Sequence, residues 1–111
     1  MNYCVRLKDV EQGRKEPYIS YYLLGEKNGC VAGCRTGISI HSKTEWSTNE
    51  IHDDQEGFLV LEGTGWAKVG DSEFPIEPET AIMVPAGMVH ALKRDPASKP
   101  IKVFWFHAAI K

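Results

Sequence analysis

The sequence predicts an all-β domain, a sandwich, jelly roll or small barrel, on three observations. Short runs rich in β-branched and aromatic residues recur along the chain. Glycine, proline and aspartate clusters separate them at the spacing of tight turns. No stretch sustains the apolar spacing of a long helix. Short strands with regular turns bury their apolar faces by packing one layer on another.

Taken in order, Asp9 to Lys15 has the composition of one helical turn, stopped by Gly13 and Pro17. Tyr18 to Leu24 reads as the first strand and Ile38 to Ile40 as a second. The polar stretch Ile40-His41-Ser42-Lys43-Thr44 that follows is expected to be solvated, His41 included. Gly57 to Leu61 and Trp66 to Val69 are strands joined by Gly63-Thr64-Gly65 at hairpin spacing, and Gly70-Asp71-Ser72 marks the next turn. Pro75 and Pro78 flank a connection, Ala81 to Val84 is a further strand, and Lys93 to Pro100 is a loop. Ile101 to Ala108 is the last strand. Phe58, Met83 and Trp105 are expected in the core.

At 111 residues the chain is expected to form one domain, residues 1–111, around a single core. Its net charge of -2, with scattered basic residues, favours neither nucleic acid nor an anionic membrane surface as a partner. No apolar run approaches the roughly 20 residues that span a bilayer, and Met1 to Arg6 lacks a signal-peptide layout, so a cytoplasmic location is expected. Three cysteines, Cys4, Cys30 and Cys34, are an odd count that argues for reduced thiols. They read as buried small hydrophobes rather than ligands.

The chemistry-bearing residues concentrate in two segments, Glu50-Ile51-His52 with Glu56 beyond it, and Pro85 to His90. On an extended chain Glu50 and His52 share a face, and parity carried through Asp53-Asp54-Gln55 adds Glu56, Phe58 and Val60 to it. Two carboxylates and two imidazoles, Glu50, His52, Glu56 and His90, can therefore converge on a metal ion. Glu50 has three readings: a ligand, an acceptor that orients His52, or a surface carboxylate. Asp53 and Asp54 read as turn chemistry. His107 shares a strand face with Val103 and Trp105 and reads most simply as a hydrogen-bonded core histidine, the other reading being a second approach to the same cavity.

The stretch from Glu50 to Gly63 resembles the first signature motif of the cupin superfamily, His-x-His followed by Glu and then Gly, with Glu56 and Gly63 at the motif positions. Glu79 to His90 resembles the second, in which Pro85, Gly87 and His90 match Pro-x-Gly-x-x-His. The resemblance implies a jelly-roll cupin barrel, also described as a double-stranded β-helix. The chain departs from the motifs at Thr44, Glu50, Glu79 and Arg94. The implied ligand set becomes two histidines and up to two glutamates, instead of three histidines and one glutamate.

Imidazole and carboxylate donors suit one divalent transition metal per chain, iron, manganese or zinc first and nickel after them, and disfavour copper(I). The sequence therefore predicts a small metal-binding cupin. Its function is read as a metalloenzyme acting on a small polar substrate resembling a sugar, keto acid or phenol, as an isomerase, a lyase or decarboxylase, or a dioxygenase. The alternative is a non-catalytic module that binds or senses a small ligand. Phe58-Leu59-Val60-Leu61 and Val103-Phe104-Trp105-Phe106 are apolar on both faces, so a second layer must cover the outer one. Either the Tyr18 to Leu24 segment or a second copy in a homodimer is expected to supply it.

Overall fold

The computed structural model describes residues 1–109, which form eight strands: β1 (Ile19–Tyr22), β2 (Arg35–His41), β3 (Glu56–Glu62), β4 (Gly65–Val69), β5 (Ser72–Ile76), β6 (Ala81–Val84), β7 (His90–Arg94) and β8 (Ile101–His107). They build two antiparallel sheets, one in the order β1-β2-β8-β3-β6 and the other in the order β5-β4-β7. This is an all-β arrangement, as the turn spacing predicted, and the jelly roll that the cupin resemblance implies. Among the described residues, no helix is long and apolar enough to cross a membrane.

The core lies between the two sheets and follows from strand alternation. In β8, Ile101, Val103, Trp105 and His107 point inward while Lys102, Phe104 and Phe106 face the other way. Val60, Ile101 and Val103 are fully buried, joined by Phe58, Trp105, Ile82 and Val84 from the large sheet and by Ala67, Ile76 and Leu92 from the small one. Burying each of the larger apolar side chains contributes about 1.5–3 kcal/mol.

Several local expectations are corrected. Gly63 does not close a hairpin, because β3 and β4 belong to different sheets; it turns the chain from one layer to the other at φ +84°. A Cβ there would lie 2.6 Å from the Pro100 carbonyl oxygen, so the corner needs glycine. The hairpin is the next turn, where Gly70-Asp71 joins β4 to β5 with Val69 opposite Ser72. Pro75 lies inside β5 rather than beside a connection, which an edge strand tolerates because its outer ladder has no partner to lose. Lys93 and Arg94 belong to β7, so the loop begins at Asp95. The helical turn near the N-terminus is a single 3₁₀ turn at Leu7–Asp9, before the expected Asp9 to Lys15.

The N-terminal strand adds to the edge of the large sheet, pairing Ile19 with Ile40 and Tyr22 with Gly37, and so extends that sheet instead of covering it. Leu59 and Leu61 remain 40 % exposed and Met83 50 %, so Met83 belongs to the outer face and not to the core. Cys4 is exposed and Cys30 and Cys34 are half-buried, all with free thiols, so none is the buried hydrophobe expected.

Candidate metal centre

One end of the sandwich gathers the polar residues. Glu56 opens β3 and His107 ends β8, and strand register sets the two directly opposite each other. His90 opens β7 of the small sheet, and its backbone exchanges two hydrogen bonds with Glu50 (3.0 and 2.9 Å). The 51–55 segment is irregular rather than extended, and His52 is fixed there by its carbonyl, which accepts the Gly87 N–H at 2.7 Å. The inward parity expected for His52 and Glu56 is thus reached by a loop.

His52, Glu56 and His90 each offer one ligand atom within 4.8 Å of the others. Glu56 Oε1 lies 3.3 Å from His52 Nε2 and 3.2 Å from His90 Nε2. Neither nitrogen is aligned to hydrogen-bond it, and Oε1 is left buried without a partner. Such an orphan costs on the order of 1–3 kcal/mol in a protein interior. Two imidazole nitrogens and one carboxylate oxygen converging on a common point form a donor set suited to a divalent transition metal, which would satisfy that oxygen. His90 Nδ1 lies 3.3 Å from the Met88 carbonyl, a partner that accepts only, so the proton sits on Nδ1 and Nε2 faces the cluster.

His107 lines the same cavity beside this group, its ring 4.8 Å from that of His52, and Asp54 adjoins it. His107 Nδ1 is 2.9 Å from Asp54 Oδ1 and its Nε2 is 3.3 Å from Glu56 Oε2; Arg35 donates to Asp54 Oδ2 at 3.2 Å. Asp54, Glu56, His90 and His107 are all buried. Burial is the largest influence on Glu56 and favours its neutral form, but the His107 and His90 imidazoles outweigh it and hold the carboxyl down to about 2. Burial likewise pulls the His107 and His90 pKa values down, yet the neighbouring carboxylates prevail and both end above the ordinary histidine value. Asp54, opposed by burial, is lowered by His107 and Arg35.

Glu50 is engaged elsewhere. Tyr18 donates its hydroxyl to Glu50 Oε2 at 2.6 Å, and Arg14 reaches Glu50 Oε1 at 3.4 Å and the Tyr18 oxygen at 2.8 Å. Burial, then the Glu50 carboxylate, raise the Tyr18 pKa. A cavity of about 150 Å³ separates this trio from the imidazoles, with Ser20, Ser39, His41 and Trp105 on its walls.

His41 and Asp54 were both misread from sequence. His41 is buried, its Nε2 3.0 Å from Ser39 Oγ and its ring 4.4 Å from that of Tyr18. Burial pushes its pKa down to about 4. In β2 Ile38, which is buried, and the half-buried Ile40 share one face of the sheet, while Gly37, Ser39 and His41 share the face opposite Trp105, Val103 and Ile101. Ser39 and His41 are polar yet buried because their face lines the cavity. Asp54 is not turn chemistry but the buried partner of His107. Tyr18, Arg14 and Arg35 were not singled out for the site, and only the strand parity of Ser39 and His41 carried a usable signal.

Residues 38–107 match the family model described as "Cupin domain". No curated protein matches the chain. Among solved structures, a "predicted oxalate decarboxylase" from Thermotoga maritima is 13% identical with a TM-score of 0.82, covering 96% of this chain and 99% of that one. An RmlC-like cupin from Shewanella frigidimarina is 14% identical with a TM-score of 0.77, covering 100% and 95%. The polyketide cyclase RemF from Streptomyces resistomycificus is 19% identical with a TM-score of 0.79, covering 96% and 79%. At these identities the likeness is one of fold.

Proposed function

Because the chain belongs to the cupin family, we propose that it is a small cytoplasmic metalloenzyme that holds one divalent transition metal through His52, Glu56 and His90 and acts on a small polar compound. The single observation that carries the reading is the buried, unpartnered Glu56 Oε1 between two imidazole nitrogens. The metal, when bound, supplies Lewis-acid polarisation of a coordinated oxygen. With three protein ligands, a bound metal would keep coordination positions for water or substrate. A volume of about 150 Å³ suits a compound of benzene-like size, in keeping with a keto acid or small phenol and too small for an extended chain.

The chain's own residues then divide the work. Ser20, Ser39 and His41 offer hydroxyl and neutral imidazole groups to the far end of the ligand. Glu50 stays outside the metal's ligand set, since coordination would cost it the bonds to Tyr18 and Arg14; with Tyr18 it forms a hydrogen-bonded acid–base pair at the cavity wall. Elemental analysis of tag-free protein, followed by turnover assays on keto-acid, sugar and phenol panels under air and under anoxia, tests the reading. Bound metal with turnover supports it. Metal with tight ligand binding and no turnover on any panel would replace it with a non-catalytic binding module.

The outer face of β3, β6 and β8 carries Leu59, Leu61, Met83, Phe104 and Phe106, with Lys102 of β8 as its charged residue near Glu62, and β6 ends the sheet. A second copy of the chain fits it, because a two-fold pairing of the same face covers apolar surface on both partners and shields the open edge. Sedimentation should show a dimer at micromolar concentration, and Leu59→Glu should yield a folded monomer. A wild-type monomer would contradict the pairing.

A further inference from the structure

We infer that Arg14 is a specificity-determining residue of the cavity and that the compound bound there carries a carboxylate, held by the Arg14 guanidinium while another oxygen of the same compound meets the metal. The inference rests on the metal-binding reading above and chooses among its substrate classes: a small carboxylic acid over a neutral sugar or a simple phenol. Arg14 lines the cavity and is fixed in place. Its backbone exchanges hydrogen bonds with Ser20 of β1 (3.3 and 3.0 Å), and its Cζ stands 5.0 Å from the centre of the Tyr18 ring. Its Nη1 donates to the Tyr18 hydroxyl at 2.8 Å and to Glu50 Oε1 at 3.4 Å.

Those bonds occupy Nη1 alone. The Nε and Nη2 donors have no protein partner among the described residues, and the side chain keeps 39 % of its surface exposed. A planar guanidinium anchored through one nitrogen and free along its Nε–Nη2 edge matches a carboxylate, which accepts two parallel N–H bonds. Ser20 adds to this seat: it is buried, it lines the same cavity, and its hydroxyl has no protein partner among the described residues. The balance of charge favours the same class of ligand. With every imidazole and Tyr18 neutral, Arg14, Arg35 and a bound dication outweigh the carboxylates of Glu50, Glu56 and Asp54 by one positive charge, and an uncompensated charge in a partly buried site is costly. A monocarboxylate cancels that excess, whereas a neutral sugar or phenol leaves it. Arginine stays charged across the working pH range, so the seat needs no titration to form.

The test uses full-length wild type, Arg14→Gln and Arg14→Lys, each Zn(II)-loaded and metal-free, titrated calorimetrically with levulinate and meta-hydroxybenzoate and with the neutral amide of each. Zn(II)-loaded wild type should bind an acid of this pair about 10-fold or more tighter than its amide. Arg14→Gln should weaken that acid about 10- to 100-fold and leave the amide unchanged, the effect of losing a charge-assisted fork. Arg14→Lys, which keeps the charge without the fork, should fall between. A purely structural role would move acid and amide together, so equal losses for the two in folded Arg14→Gln would overturn the inference. Equal affinities for acid and amide in loaded wild type, or no binding of either acid, would overturn it as well and leave the metal site standing. Metal-free wild type should keep a weaker preference for the acid that Arg14→Gln abolishes. If wild type takes up no Zn(II), the metal-binding reading falls, and the inference then stands or falls on that metal-free preference.

Discussion

Replacing His41 by glutamine should remove a specific pH dependence of stability. Burial lowers the His41 pKa from 6.5 to about 4, opposed by the attraction of the Glu56 carboxylate. The unfolded chain therefore takes up a proton at this residue near pH 6.5, while the folded chain resists until about pH 4. Between those values the unfolded state binds more protons, so folded-state stability falls as the pH falls, and the loss is complete below pH 4. At about 1.4 kcal/mol for each tenfold change in proton affinity, the difference amounts to about 3 kcal/mol. The neighbours that face His41 are Ser39, which bonds Nε2, and the Tyr18 ring stacked on it. His90 and His107 have raised values, so their contributions are present below about pH 6.5 and fade above it, and they act alike in both proteins. Urea denaturation of metal-free wild type and His41→Gln from pH 7.5 to 4 isolates the effect. The stability difference between the two should shift by about 2–3 kcal/mol in favour of the variant on going to pH 4. Parallel curves would refute the argument and mean that His41 is hydrated or charged in the fold.

Gly37→Ala should destabilise the domain by about 1–3 kcal/mol, read as a fall in Tm of several degrees, because its Cβ would run into the Trp105 ring and the Tyr21 carbonyl oxygen; an unchanged Tm would contradict the packing of β2 on β8. Glu50→Gln should keep about one metal per chain and let Tyr18 ionise at lower pH in an ultraviolet titration, since part of its upward shift comes from that carboxylate. Loss of metal in this variant would restore Glu50 to the ligand set. Metal occupancy should fall as the pH drops below about 6.5, where protons compete for imidazole nitrogen, and equilibrium dialysis across pH 5 to 8 checks it.

The sequence made the strands of the core visible because short runs rich in β-branched and aromatic residues stand between turn formers, and the motif spacing located His52, Glu56 and His90. What it concealed has physical causes. β5 was hidden by Pro75, which argues against a strand until the strand is known to lie at an edge. His41 was hidden because a polar stretch reads as solvated, whereas here it lines an internal cavity and is buried. Asp54 and His107 are 53 residues apart and meet only through the pairing of β3 with β8, so no local pattern announces them. Glu50 sits where the motif places a ligand, yet its partners Tyr18 and Arg14 come from the N-terminal region, which lies outside both motifs.

The central claim is that His52, Glu56 and His90 hold a metal. Its most direct test is elemental analysis of wild type and His90→Ala, purified without chelator or affinity tag and retitrated with Mn(II), Fe(II) and Zn(II) under anoxia. The account predicts about one divalent transition metal per wild-type chain and a large loss of occupancy and affinity in folded His90→Ala. Full metal content with unchanged affinity in His90→Ala would contradict it.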